Sequence, residues 1–223
     1  MRHLPERVDA AIFDFDETMI DLEPQHTIAS ELLCRQFGSD YSRMPESFRH
    51  GSGKRVIDDI RDLRDFFGWS SPFDELVRFR QRHFDEACSR ADLVLLPGVE
   101  RAVRTLHARG IPLAVTSSAV GSSIDAILRR TAIRGMFRLI VDGSEVVHPK
   151  PHPEAYLVTA GKLGVEPAHC VVFEDSTVGV RAAKRAGMYC IAVRNPNALT
   201  PQDLTPADVV LDSFEELRLA PAE

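Results

Sequence analysis

Hydrophobic positions along the chain fall into two regimes. The run "VDAAIF" (Val8–Phe13) is short, apolar and closed by acids, so it reads as a buried strand. From about Leu22 to Leu93 the apolar residues recur at helical spacing, in "QHTIASELLCRQFG", "GKRVIDDIRDLRDFFG" and "SPFDELVRFRQRHFDEACSR". The first two segments end in Gly and the third opens on Ser-Pro, which suit helix ends and starts. After "LLPGV" (Leu95–Val99) the pattern alternates. "GVERAVRTLHARG", "SSIDAILRRTAI", "PEAYLVTAGKLG" and "VGVRAAKRAG" read as helices, and "IPLAVTS", "FRLIVDG", "CVVFED" and "YCIAV" as strands, with "ADVVL" able to add a last one.

Strands alternating with helices of this length imply βαβ crossovers and a parallel sheet. The pattern predicts an α/β, Rossmann-like doubly wound core of residues 1–20 and 97–223, interrupted by an α-helical insertion at 21–96. The two connections fall near Ile20–Leu22 and Leu96–Gly98, with Pro97-Gly98 as a hinge.

Composition narrows this only slightly. The 223 residues suffice for one sizeable core plus a smaller unit, with 44% hydrophobic and 27% charged residues and a formal net charge of -6. Mild acidity argues against a nucleic-acid partner. Cys34, Cys88, Cys170 and Cys190 are widely spaced and form no C-x-x-C pair, as expected of reduced thiols in a cytoplasmic protein. No apolar run resembles a signal peptide or a membrane span, so no membrane partner is expected, and monomer is the default.

The chemistry collects where strands end, which is where ligands bind in open parallel sheets. The first strand runs into "DFDETMID", with Asp14, Asp16, Glu17 and Asp21 crowded together. Carboxylates about 4 Å apart repel by roughly 4 kcal/mol at an effective dielectric near 20, so a cation is the simplest reason for the crowding. One acid after a strand usually caps a turn. Two acids with one residue between suit a fixed nucleophile, Asp14, beside a proton donor, Asp16. "IPLAV" ends in Thr116-Ser117, turn formers or phosphate donors. "CVVF" ends in Glu174-Asp175, which alone read equally as a helix cap or as ligands. With Asp14 and Asp16 they make a hard oxygen site of the kind Mg²⁺ prefers. Lys150 lies among Pro149, Pro151 and Pro153, whose stiffness a solvated lysine does not need. His148 and His152 invite a zinc reading that no matching cluster supports, and are taken as loop histidines.

These four segments in this order resemble the haloacid dehalogenase superfamily of phosphohydrolases: "DFDET", "VTSS", "KPHPEAY" and "FEDSTVGVRAAKRAGM" stand as its first to fourth motifs. The insertion with "DLEPQH" leading into it looks like the helical cap of the β-phosphoglucomutase and phosphoglycolate phosphatase subgroup. The resemblance implies an aspartyl-phosphate on Asp14, with Asp16 as general acid/base and its carbonyl on Mg²⁺. It implies that Thr116 and the Ser117 amide hold the phosphoryl group and that Lys150 balances charge. Asp175 would bind the metal, with Glu174 a ligand or one shell out. His26 matches a histidine near the cap hinge, where it either gates Asp16 or merely packs a helix. Lys54 sits where the mutase cap carries a phosphate-binding Arg, and Arg49, His50, Lys54 and Arg55 form a basic stretch that suits an anionic substrate or simply a solvated helix start. Trp69 packs the cap.

The chain departs from the resemblance in three places. Glu17 replaces the usual Gly, Leu22 stands where the mutase type has a hydroxyl residue, and Ala119-Val120 replace its Lys-Asn. The last two tilt the reading from a β-phosphoglucomutase-like mutase to a phosphatase of a small phosphorylated metabolite, with a sugar phosphate favoured. Two rivals from another class are a phospho-receiver, whose acids lie on different strands, and a non-catalytic binding protein. Turnover separates both from an enzyme.

Overall fold

The structure is a computed structural model that describes residues 3–45, 55–198 and 201–219. Among the described residues, six parallel strands form one sheet: β1 (Ala10–Phe13), β2 (Leu113–Thr116), β3 (Phe137–Val141), β4 (Cys170–Glu174), β5 (Tyr189–Val193) and β6 (Val209–Leu211). Their order is β3-β2-β1-β4-β5-β6, so β1 is central, and "ADVVL" does supply a sixth strand. β1 is shorter than "VDAAIF" because its register with β2 and β4 spans only Ala10–Phe13.

Both faces of β1 are covered, which is why its apolar run is continuous rather than alternating. Ala11 and Phe13 point into one core with Val99, Val103 and Leu106 of α4 (Val99–Ala108) and Ile124, Ile127 and Leu128 of α5 (Gly121–Arg130). Ala10 and Ile12 point into the other with Tyr156, Ala160 and Leu163 of α6 (Glu154–Leu163) and Val180 and Ala183 of α7 (Thr177–Arg185). The period-2 alternation of a strand thus feeds two cores from one run. Phe13 stacks on Phe173 at 4.5 Å between centroids, fixing β1 against β4 where their ends carry the acids.

The insertion forms α1 (Glu23–Gln36), α2 (Val56–Phe67) and α3 (Phe73–Arg90), a helical cap with its own core of Leu33, Tyr41, Ile60, Leu63 and Leu76. Trp69 packs there as expected, stacked on Phe67, with its indole N–H donating to Ser39 at 2.9 Å. Ala29, Phe84 and Cys88 instead join the core beside β1, docking the cap on the sheet domain. The two connections pair with one another. Ile20 bridges Leu95 in antiparallel fashion, and the Leu96 N–H donates to the Met19 carbonyl at 2.8 Å. Gly98 follows with φ 85, and a β-carbon there would lie 2.5 Å from the Phe214–Glu215 backbone, so only Gly fits. Among the described residues no helix is long and apolar enough to cross a membrane, and all four cysteines are buried and unbridged.

Candidate active site

Parallel register brings the ends of β1, β2 and β4 side by side, and their loops converge. Asp14 directly follows β1, its N–H donating to the Phe173 carbonyl at 2.9 Å, so the sheet itself aims its side chain. Lys150 sits on the proline-rich loop before α6, its Nζ donating at 2.6 Å to Asp14 Oδ1 and at 2.6 Å to Glu174 Oε1. All three are buried. Burial works against the Lys150 charge, but the two carboxylates outweigh it and hold the ammonium above its ordinary pKa. Burial pushes Asp14 up to about 7 against the pull of Lys150.

Glu174 is saturated. Its Oε1 also accepts from the Tyr156 hydroxyl at 2.8 Å, and its Oε2 accepts from the Asp175 N–H, the Ser176 N–H and the Ser176 hydroxyl. Burial alone would raise its pKa; Lys150 and these donors hold it below the ordinary value. A β-carbon on Gly179 would fall 1.7 Å from Glu174 Oε1, so this glycine leaves the space that the carboxylate fills. The helix cap is supplied by Ser176, whose hydroxyl accepts from the Gly179 N–H at 3.0 Å, so the neighbouring acids are free for other work.

Asp175 is buried beside this group, and carboxylate oxygens of Asp14, Glu174 and Asp175 lie within 4.8 Å of one another. Burial, then Glu174 and Asp14, push its pKa well up. Its Oδ1 accepts from Thr18 at 2.8 Å. A buried, converging set of hard carboxylate oxygens is the donor chemistry that fits Mg²⁺.

Asp16 faces the cap. Its Oδ2 lies 2.5 Å from His26 Nε2 on α1, and His26 Nδ1 accepts from Arg80 Nη2 at 3.2 Å. Arg80 can only donate, so the imidazole proton is on Nε2 and is given to Asp16. Burial, then Arg80, push the His26 pKa well down, which keeps the ring neutral. Arg80 is fully buried and also reaches Asp59 at 3.4 Å and Ser30 at 3.2 Å. Burial and the neighbouring Asp21 raise Asp16 to about 7, and its buried Oδ1 has no hydrogen-bond partner among the described residues.

The phosphate donors implied by the resemblance are partly engaged. The Ser117 N–H is given to the Val141 carbonyl at 3.0 Å, continuing the sheet. Its hydroxyl accepts from the Ala119 N–H at 3.0 Å, which leaves its own hydrogen to donate. Thr116 and Thr159 share a 2.7 Å bond, and since Thr159 donates to the Ala155 carbonyl, the shared hydrogen belongs to Thr116. Arg49, His50 and Lys54 lie outside the described residues. Arg55 pairs with Asp58 at 2.7 Å and donates to the Val147 carbonyl. The loop histidines, read from sequence as lacking a matching cluster, do gather with Glu154, ligand atoms of the three lying within 4.8 Å of one another; Glu154 is already engaged there, with His148 Nδ1 2.7 Å from its Oε2 and the N–H groups of Val147 and His148 donating to it. Tyr156 and Arg80 are site neighbours that sequence reasoning missed, and for Thr18 it missed the contact with Asp175. Tyr156 lay within "KPHPEAY" and Thr18 within "DFDET", but nothing in spacing marked their partners.

The profile of haloacid dehalogenase-like hydrolases matches residues 8–187. The chain is 34% identical to hexitol phosphatase B of Escherichia coli over 225 aligned positions, 96% of each chain. CbbY from Rhodobacter sphaeroides in complex with xylulose-(1,5)bisphosphate superposes with a TM-score of 0.82 at 26% identity, covering 94% of this chain and 96% of that one. β-Phosphoglucomutase from Clostridium difficile gives 0.79 at 25% identity, covering 95% and 93%. With Asp14, Lys150 and Asp175 all inside the matched span and converged in space, the chain belongs to the haloacid dehalogenase-like hydrolases, as a phosphoric monoester hydrolase.

Proposed function

We propose that the protein is a Mg²⁺-dependent phosphatase of a small phosphorylated sugar or sugar alcohol, working through an aspartyl-phosphate on Asp14. One observation carries this reading: a buried Lys150 is bonded at 2.6 Å to Asp14 at the end of the central strand, with the Asp175 carboxylate alongside. The names of the relatives, a hexitol phosphatase and a protein seen with a sugar bisphosphate, support the substrate class.

Asp14, the Asp16 carbonyl and Asp175 would hold Mg²⁺, which supplies charge neutralisation at the phosphoryl oxygens. Lys150 adds a second positive charge and keeps Asp14 aimed while its carboxylate attacks phosphorus. As the ester P–O bond breaks, Asp16 gives its proton to the leaving alkoxide. In the second step Asp16 takes a proton from water, whose oxygen attacks the phosphorus and releases phosphate from Asp14. A pKa of about 7 suits both duties. The His26 Nε2–H occupies Oδ2, so Oδ1 carries the proton. Glu174, with every bond already made, anchors Lys150 from one shell out. The Ser117 hydroxyl is ready to donate to a phosphoryl oxygen, and Thr116 would join by turning its hydrogen from Thr159. Residues 21–96 would close over the site, with Lys54 and Arg49 available to an anionic substrate.

A phosphomutase must also grip a second phosphate. Ala119 and Val120 offer no side-chain donor for it, which favours hydrolysis. The test is phosphate release from hexitol phosphates and an aryl phosphate, with and without Mg²⁺, beside Asp14→Asn. Mg²⁺-dependent turnover that vanishes in the variant is expected. Turnover that survives Asp14→Asn refutes the mechanism.

A further inference from the structure

The loop after β5 lies outside the four motif segments, yet it puts two amides on the acids. Asn195 Nδ2 donates to Glu17 Oε2 at 2.9 Å. Gln202 Nε2 donates at 2.7 Å to the Asp175 carbonyl and reaches Asp175 Oδ2 at 3.4 Å. Neither amide is free to turn around. Asn195 Oδ1 accepts from the Asn197 N–H at 2.8 Å, and Gln202 Oε1 accepts from the Asn195 N–H at 3.2 Å. With each carbonyl oxygen taken by a backbone donor, only the NH₂ ends are left to face carboxylates.

Glu17 gives the loop its attachment point. It occupies a left-handed backbone position, φ 62, in the turn between Asp16 and Thr18, and its side chain is buried. The same turn supplies Thr18, the other donor to Asp175. The Asp175 carboxylate is thus met from two sides, by Thr18 on Oδ1 and by Gln202 on Oδ2 and the carbonyl. A neutral amide suits this place. It orients a carboxylate by hydrogen bonding without adding a positive charge that would repel a cation.

We propose that Gln202 is a positioning residue for Asp175, held in place by the Asn195–Glu17 bond, so that the loop after β5 sets the affinity of the divalent-cation site. This rests on the cation role given to Asp175 above. Groups that orient a metal ligand from outside its coordination sphere are worth about 10–100-fold in metal affinity.

The experiment is Mn²⁺ binding to the full chain, followed by electron paramagnetic resonance of the free ion, for the unmodified protein, Gln202→Ala, Gln202→Met and Asp175→Asn. Methionine keeps the length of the side chain and lacks both the donor and the oxygen that accepts from the Asn195 N–H. The expected result is Mn²⁺ affinity at least about tenfold weaker in both Gln202 variants, with cooperative metal-free unfolding retained in Gln202→Met. In activity assays the Mg²⁺ concentration for half-activation should rise with it, while KM at saturating Mg²⁺ stays put. Unchanged Mn²⁺ affinity in Gln202→Met overturns the proposal, and so does a loss confined to Gln202→Ala, which would assign the effect to packing. If Asp175→Asn binds Mn²⁺ as well as the unmodified protein does, the cation role of Asp175 fails, and the positioning role falls with it.

Discussion

Lys150→Met is the sharpest probe of the proposed catalytic group, because it deletes a buried ammonium bonded to both Asp14 and Glu174. Glu174 keeps its bonds from Tyr156, Asp175 and Ser176. No other side chain among the described residues donates to Asp14. Removing one partner of a buried ion pair costs about 3–5 kcal/mol when the survivor stays charged. Asp14 can instead take up a proton, so the cost depends on pH. A carboxyl whose folded pKa exceeds its unfolded value near 3.9 binds more protons when folded, and stability falls as pH rises between the two. With Lys150 present that fall ends near 7. Without it the Asp14 pKa moves higher, and the fall continues. The stability gap between the two proteins should therefore widen above pH 7 by about 1.4 kcal/mol per pH unit, reaching roughly 3 kcal/mol more at pH 9 than at pH 7. Urea unfolding in chelator at pH 6, 7.5 and 9 measures it. A gap that does not change with pH, or a total below about 1 kcal/mol at pH 9, refutes the coupling of Asp14 to Lys150.

Three further outcomes are expected. Gly179→Ala should destabilise the protein by about 1–3 kcal/mol in urea unfolding, since its methyl meets the Glu174 carboxylate, and should lower kcat by disturbing the Lys150 anchor. Arg80→Met should cost about 3–5 kcal/mol, because it removes one partner of a fully buried ion pair with Asp59; a melt within 2 °C of the unmodified protein would contradict the buried pair. The N–H groups of Val147 and the His148 ring hold Glu154 down at about 2, so its contribution to stability is present above about pH 4.3 and lost as pH falls toward 2. Acid-unfolding curves of Glu154→Gln should lack that component.

The strand ends carried most of what was legible in the sequence. β1, β2 and β4 are buried on both faces, so their apolar runs stand out, and the acids and hydroxyls at their ends are fixed in space by parallel register. Asp14, Glu174 and Asp175 converge for that reason, and Lys150 joins them from the loop before α6. Contacts without a period were not legible. Tyr156 meets Glu174, Thr18 meets Asp175 and Arg80 meets His26 by placements that helices and turns create only after folding. The Ser117 N–H was read as a phosphate donor because the motif implies it; whether the sheet claims that N–H first depends on the position of β3, which no local pattern encodes. Asn195 and Gln202 sit in a polar loop whose composition resembles any other.

The pairing of the two cap connections limits how the cap can move. Two separate tethers would let the helical layer translate, tilt and twist. Here Ile20 and Leu95 are bridged and Leu96 is bonded to Met19, so both strings form one narrow ribbon. A ribbon bends readily across its width and resists shear along its length, which leaves one easy rotation, like a door on a single jamb. The closure proposed above would then follow one arc and bring His26 on α1 back to Asp16 each time. Substrate exchange and the setting of the proposed acid would thereby be geared to one coordinate.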